Sequence, residues 1–164
     1  MFAAAGDRTL RVGLIGVGEF GATLAAQARA IPRLNLTAFA DRDPQRVLDV
    51  LAAPGISRDA IGHCDALAKA EAALAAGRIV ISDDDAIVTD APLDVIVEAT
   101  GHPEGGAVNA ERAILGGKHG VLVSKEARSV VGPSLAWLRA DRCAPRCRGR
   151  AGGVMRRGVP MSPA

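Results

Sequence analysis

The sequence predicts an α/β fold, a doubly wound parallel sheet in a single domain. Three observations carry this. Short apolar runs alternate with Ala-rich stretches of helical length from residue 10 to residue 140, the order expected of strands and helices wound around one sheet. The apolar runs lack polar alternation, as strands covered on both faces do. A glycine-rich turn joins the first run to the first helical stretch.

Taken in order, Leu10 to Val17 reads as a buried strand and Phe20 to Ile31 as a helix ended by Pro32. Leu34 to Ala40 is a second strand with Asp41 at its exit. Pro44 to Ala53 is a helix with proline in its first turn, broken by Pro54-Gly55. Ser57 is expected to cap a long helix from Arg58 to Ala76, with Gly77 as the stop. Inside that helix His63 and Cys64 would point about 100° apart, so the pair reads as structural. Arg78 to Ser82 is a third strand. Asp83-Asp84-Asp85 fits the start of a short helix, where carboxylates meet the positive end of the dipole. Ala91-Pro92 turns into a fourth strand, Asp94 to Ala99. Glu104 to Leu115 is a helix stopped by Gly116-Gly117, and Gly120 to Val123 is a fifth strand. Pro133 starts one more helix, and no sixth strand is read after it.

The chain's 164 residues suffice for one domain with a core and are too few for two ordinary ones. No apolar run approaches the roughly 18–20 residues that span a bilayer, so no membrane partner is expected. Met1 to Asp7 lacks the basic start and long apolar stretch of a secretory signal. Cys64, Cys143 and Cys147 make no disulfide framework, and a reducing, cytoplasmic location is expected. Cys143-x-x-x-Cys147 has no accompanying His or second cysteine pair, so no metal site is expected.

The net charge of +2 hides an asymmetry: −3 over residues 1–140 and +5 over residues 141–164. A mildly acidic body is no nucleic-acid binder by charge. The division is therefore a domain at 1–140 and a basic tail at 141–164. That tail holds six Arg, four Gly and three Pro without periodicity, and is expected to be disordered. The abrupt change near Arg142 reads as a shift of reading frame in a GC-rich gene, or as a natural basic tail.

Gly16-Val17-Gly18-Glu19-Phe20-Gly21 matches G-x-G-x-x-G, follows a strand and opens a helix. Asp41 stands 20 residues after Gly21 at the exit of the second strand. That context reads as a dinucleotide-binding (Rossmann) fingerprint. Gly16 allows the tight turn, Gly18 leaves room for the pyrophosphate, and Gly21 lets the helix pack close to the strand. Glu19 and Phe20 belong to the same cofactor loop, whose helix amides favour phosphate. Asp41 suits the 2′-hydroxyl of NAD, and Arg42 the 2′-phosphate of NADP with Asp41 turned away, so both cofactors stay open.

Glu98-Ala99-Thr100-Gly101-His102 follows the fourth strand, beside the point where strand order reverses and ligands bind. Thr100 offers a hydroxyl near the nicotinamide ribose, and Gly101 permits close backbone approach. His102 stands where it can touch the ring or substrate, or face water, and Glu98 is expected to cap a neighbouring turn. Lys125 follows the fifth strand, where a lysine can act on a reacting carbonyl as proton donor or clamp; the bland alternative is a surface lysine.

Four segments resemble a known family. Val12 to Gly21 resembles the nucleotide loop of the homoserine dehydrogenase NAD-binding domain group. With Lys69-Ala70-Glu71 through Gly77 to Asp84 as one segment, Pro92 to Gly101 and Gly116 to His119, it is similar to the reductoisomerase-like oxidoreductases, the deoxyxylulose phosphate reductoisomerase-like (DXR-like) branch. The resemblance covers about residues 10–140. It implies an NAD(P)-binding domain followed by a catalytic domain, NADPH-dependent reduction, and cofactor roles for Gly16, Gly18, Gly21, Thr100 and Gly101. Asp41-Arg42 and Lys125 depart from the closest branch. The expectation is the cofactor half of an NAD(P)-dependent oxidoreductase acting on a small hydroxyl or carbonyl substrate, as a monomer or homo-oligomer. The alternatives are an NAD(H)-sensing module without catalysis, or a truncated, functionless product.

Overall fold

The computed structural model describes residues 8–143 except Pro54. Six strands, β1 (Leu10–Ile15), β2 (Leu34–Ala40), β3 (Ile61–His63), β4 (Ile79–Ser82), β5 (Val95–Glu98) and β6 (His119–Leu122), form one sheet. The order is β3-β4-β2-β1-β5-β6, and every pairing is parallel. The helices are α1 (Glu19–Ala28), α2 (Pro44–Ala52), α3 (Leu67–Ala75), α4 (Asp85–Asp90), α5 (Pro103–Leu115) and α6 (Lys125–Cys143). The predicted doubly wound α/β class is the one found.

Successive strand residues serve opposite faces. Val12, Leu14, Phe39, Ile81 and Val97 pack with Ala25 of α1 and Val47 and Leu51 of α2. Ile15, Ala38, Ala40, Val80 and Ile96 pack with Ala70 and Ala73 of α3, Ile87 and Val88 of α4, and Ala113 of α5. Two layers of helix thus cover both faces of the inner strands β1, β2, β4 and β5, which is why those runs read as continuously apolar, whereas β6 at the edge has no buried residue.

The expected Pro44 start of α2, acidic start of α4 and Gly77 stop of α3 are found, and Asp43 adds a cap. Asp43 caps α2, accepting from the amides of Gln45 at 3.1 Å and Arg46 at 3.4 Å, and Pro44 fills the first position. Asp84 caps α4 through the amide of Ala86 at 2.8 Å. Gly77 stops α3, its amide donating to the Leu74 carbonyl at 3.1 Å.

Three expectations need correction. The long helix from Arg58 to Ala76 does not form. The Ser57 hydroxyl accepts only from the Asp59 amide, at 3.4 Å, and opens a single 3₁₀ turn, Arg58–Ala60. Ile61 to His63 then extends as β3 beside Ile79 to Ile81. Arg78 clamps it by donating to the Ile61 carbonyl at 2.6 Å. Edge pairing and burial of Ile61 and Cys64 override the helical propensity of the surrounding alanines. His63 and Cys64 therefore do not share a helix: His63 is exposed at the strand end and Cys64 is buried. The sheet accordingly has six strands, the missed one preceding β4 rather than following β6. The last helix begins at Lys125, eight residues before Pro133, which it carries inside it. Its start is fixed by Ser124, whose hydroxyl accepts from the Ala127 amide at 3.3 Å. Helix α6 reaches Cys143, and residues 144–164 lie outside those described.

Candidate cofactor site

The sheet order makes β1 the central strand, with β2 on one side and β5 on the other. Chains leaving β1 and β5 turn to opposite faces, so a crevice opens beyond their carboxyl ends. A cleft of about 350 Å³ lies there, bordered by Gly16 and Gly18 after β1, Ala40 to Asp43 and Arg46 after β2, Asp85 of α4, and Ala99, Thr100, His102 and Gly105 after β5. That volume suits part of a small-molecule ligand.

The glycine loop is fixed by its neighbours. The Gly16 amide donates to the Ala40 carbonyl at 2.8 Å, and Ala99 donates to the Ile15 carbonyl at 2.7 Å. Gly16 adopts φ +87°, and a Cβ there would lie 2.6 Å from the Thr100 nitrogen. At Gly21 a Cβ would lie 2.2 Å from the Gly16 carbonyl oxygen, so α1 can approach the loop only without a side chain. Gly18 differs: a Cβ there meets nothing within 4 Å, because it faces the cleft. The first and third glycines are thus required by the fold. The second is required only by whatever enters the cleft. Gly18 is also the N-cap of α1 and supplies no side chain to the first-turn amides. Those amides are left for a ligand at the positive end of the helix. Glu19 and Phe20 begin α1 with exposed side chains, Phe20 being half-exposed, and do not border the cleft.

Asp41 is buried at the exit of β2. One carboxylate oxygen accepts from the Val17 amide at 2.7 Å, and the other from the Asp43 amide at 2.9 Å. Arg46 stands 3.7 Å from Asp41 and 3.9 Å from Asp43. Asp41 therefore ties the glycine loop to the start of α2. Arg42 is exposed on the same rim, with no ion pair among the described residues.

On the other wall, Glu98 ends β5 fully buried, and one of its oxygens accepts from the Thr100 amide at 2.9 Å and from the Thr100 hydroxyl. The expectation that Glu98 caps a neighbouring turn fits this arrangement. Gly101 adopts φ +75°, and the His102 amide donates to the Thr100 hydroxyl oxygen at 3.2 Å. His102 borders the cleft as the N-cap of α5 and gives no side-chain hydrogen bond to that helix. Gly101, exposed, sits between Thr100 and His102 without bordering the cleft itself. Lys125 opens α6 just after β6; it is exposed and does not border the cleft.

The cleft thus brings together Gly16, Gly18, Asp41, Arg42, Thr100 and His102. Sequence reasoning did not single out Asp43, Arg46, Asp85 or Gly105. The Asp-Pro start of α2 was a signal for the first two, since a helix that begins right after a strand exit begins on the ligand side of the sheet.

Solved structures share this architecture. Apo scyllo-inositol dehydrogenase from Lactobacillus casei matches at 15% identity over 82% of this chain and 34% of its own, with a TM-score of 0.59. Biliverdin reductase from Synechocystis, solved with biliverdin and NADP+, matches at 20% identity over 81% and 35%, with a TM-score of 0.59. An oxidoreductase from Agrobacterium radiobacter, solved with NAD+, L-tartaric acid and magnesium, matches at 19% over 80% and 32%, with a TM-score of 0.59. The fold is the Rossmann fold. The chain spans about a third of the length of these proteins. No protein-family model and no curated protein matches the sequence. The solved structures carry the fold part of the sequence resemblance, the Rossmann fold, and do not single out the homoserine dehydrogenase or DXR-like branch.

Proposed function

We propose that this Rossmann domain is the cofactor-binding part of an NAD(P)-dependent oxidoreductase. Gly18 carries the reading: it is the one glycine of the loop whose missing side chain relieves nothing in the protein and opens only the cleft. The residues present fit a dinucleotide. The free amides at the start of α1 receive the pyrophosphate. Asp41 or Arg42 meets the adenosine ribose, and Thr100 borders the nicotinamide end, with Gly101 next to it shaping the turn. When bound, the cofactor supplies hydride chemistry, and the protein supplies position and electrostatics. His102, on the border of the cleft, is the proposed contact to a small hydroxyl or carbonyl substrate; for Lys125, which lies outside the cleft, the proposed role of proton donor or clamp rests on its place after β6 alone.

Support comes also from the neighbours, whose names describe dehydrogenases and reductases with NAD+, NADP+ or small molecules bound. The narrower assignment, to the homoserine dehydrogenase-like or DXR-like branch, rests on the sequence segments alone. A soluble protein of the cytoplasm agrees with a buried free thiol at Cys64 and with the lack, among the described residues, of any helix long and apolar enough to cross a membrane.

Titration of the purified chain with NADH and NADPH, followed by nicotinamide fluorescence, tests the reading. Gly18→Val is expected to abolish binding and leave the melting temperature unchanged, because the added side chain meets only the cleft. Equal binding by both proteins, or none by folded wild type, overturns the assignment.

A further inference from the structure

We propose that Glu98 is a positioning residue, acting through Thr100 to shape the nicotinamide side of the cleft; this rests on the dinucleotide reading above. Glu98 is 1% exposed and ends β5, where an apolar side chain would serve the sheet better. One of its oxygens takes both hydrogens that Thr100 offers, from the amide and from the hydroxyl. The other oxygen is buried without any partner. A buried polar atom left unpaired destabilises a protein, so it needs a reason.

A second cost points the same way. Gly106 lies in the first turn of α5, and glycine inside a helix is unfavourable. A Cβ at Gly106 would sit 2.7 Å from the unpaired Glu98 oxygen and 3.0 Å from its carboxyl carbon. The glycine makes room for the carboxyl group. Two unfavourable choices, a buried acid and a helical glycine, thus serve one result: the Thr100 hydroxyl is turned back into the protein.

That result reaches the cleft. With its hydrogen given to Glu98, the Thr100 hydroxyl presents lone pairs, and one accepts the His102 amide at 3.2 Å. The His102 ring is held in turn, its Nδ1 3.1 Å from the Thr100 carbonyl oxygen. Glu98 therefore fixes the donor direction of Thr100 and the N-cap of α5, and both residues border the cleft. It touches no ligand itself.

The test compares two ligands that share the adenosine and pyrophosphate and differ in the nicotinamide: NADH and ADP-ribose. Their affinities are measured by fluorescence and calorimetry for wild type, Glu98→Ala, Glu98→Gln, Thr100→Val and the Glu98→Ala/Thr100→Val double variant. Glu98→Ala is expected to weaken NADH about tenfold, the size of one lost hydrogen bond. ADP-ribose should stay within about twofold of wild type, and Glu98→Gln, which keeps an acceptor for Thr100, within about threefold for NADH. The double variant should bind NADH no more weakly than Glu98→Ala, since residues acting as one unit are not additive. Should Glu98→Ala not fold, Thr100→Val reads the same link from the other side, with the same selective loss of NADH. Equal loss of both ligands, unchanged NADH affinity, or additive losses overturn the proposal. Binding of neither ligand to folded wild type instead overturns the dinucleotide reading, and the proposal with it.

Discussion

Asp41 and Arg42 share one rim of the cleft and differ in what else they hold. Asp41 accepts the amides of Val17 and Asp43, so removing it strands a buried donor in the glycine loop. Asp41→Ala is expected to lower stability by about 1–3 kcal/mol in urea denaturation, whereas Arg42→Ala, which breaks no ion pair among the described residues, should leave the midpoint in place. Their effects on ligands should also diverge. Asp41→Asn keeps an acceptor for Val17 while removing the charge, and should weaken NADH more than NADPH. Arg42→Ala should do the reverse. An affinity ratio unchanged by both variants would remove this rim from the ribose-binding role.

Helix α6 is attached to the sheet by polar contacts as well as by packing. At its start Ser124 caps it, and Ser124→Ala should cost about 0.5–2 kcal/mol in chemical denaturation. Near its end, Arg139 donates to the Nδ1 of His119, the first residue of β6, at 2.7 Å. The imidazole must be neutral to accept that bond. Partial burial, and then the Arg139 charge, hold the His119 pKa below its ordinary value of 6.5, with Asp94 opposing them. The unfolded chain therefore takes up this proton first as pH falls. The contact's stability is fully present above about pH 6.5 and is lost as pH drops through the lower folded value. Melting temperatures between pH 5 and 8 should show an acid-side decline that His119→Gln flattens; an unchanged slope would mean that the contact does not couple to folding. Asp90 behaves alike in sign but at lower pH. The Arg112 side chain, bonded to it at 2.5–2.7 Å, depresses its pKa, so the link from α5 to α4 weakens only in strong acid.

Among the described residues, the groups that border the cleft come from one end of the sheet. Among the described residues the cleft is bordered from the strand exits and the starts of α2, α4 and α5, and hydride transfer needs a substrate held against the nicotinamide away from water. The purified chain is expected to bind NADH, with thermal stabilisation of about 2.7 kcal/mol at a hundredfold excess over Kd, and to show no NADH oxidation with simple carbonyl compounds. Turnover by this chain would mean that the residues at this end of the sheet are enough.

The parts legible in the sequence are those decided within a few neighbouring residues. The G-x-G-x-x-G turn, the Asp43-Pro44 helix start, the Gly77 stop and the doubly apolar runs of β1 and β5 are local chemistry. From them the α/β class, the strand exits and the cleft residues Gly16, Gly18, Asp41, Arg42, Thr100 and His102 follow. Other features exist only between distant segments. Ile61 to His63 becomes a strand because β4 lies beside it, sixteen or more residues on. The Asp41 carboxylate closes on Val17, 24 residues away, rather than standing free at a strand end. Glu98 is tolerated in the core because Gly106, eight residues on in the first turn of α5, leaves space for its carboxyl group. Local propensity cannot signal these, since the energy that fixes each is shared between residues that only the folded sheet brings together.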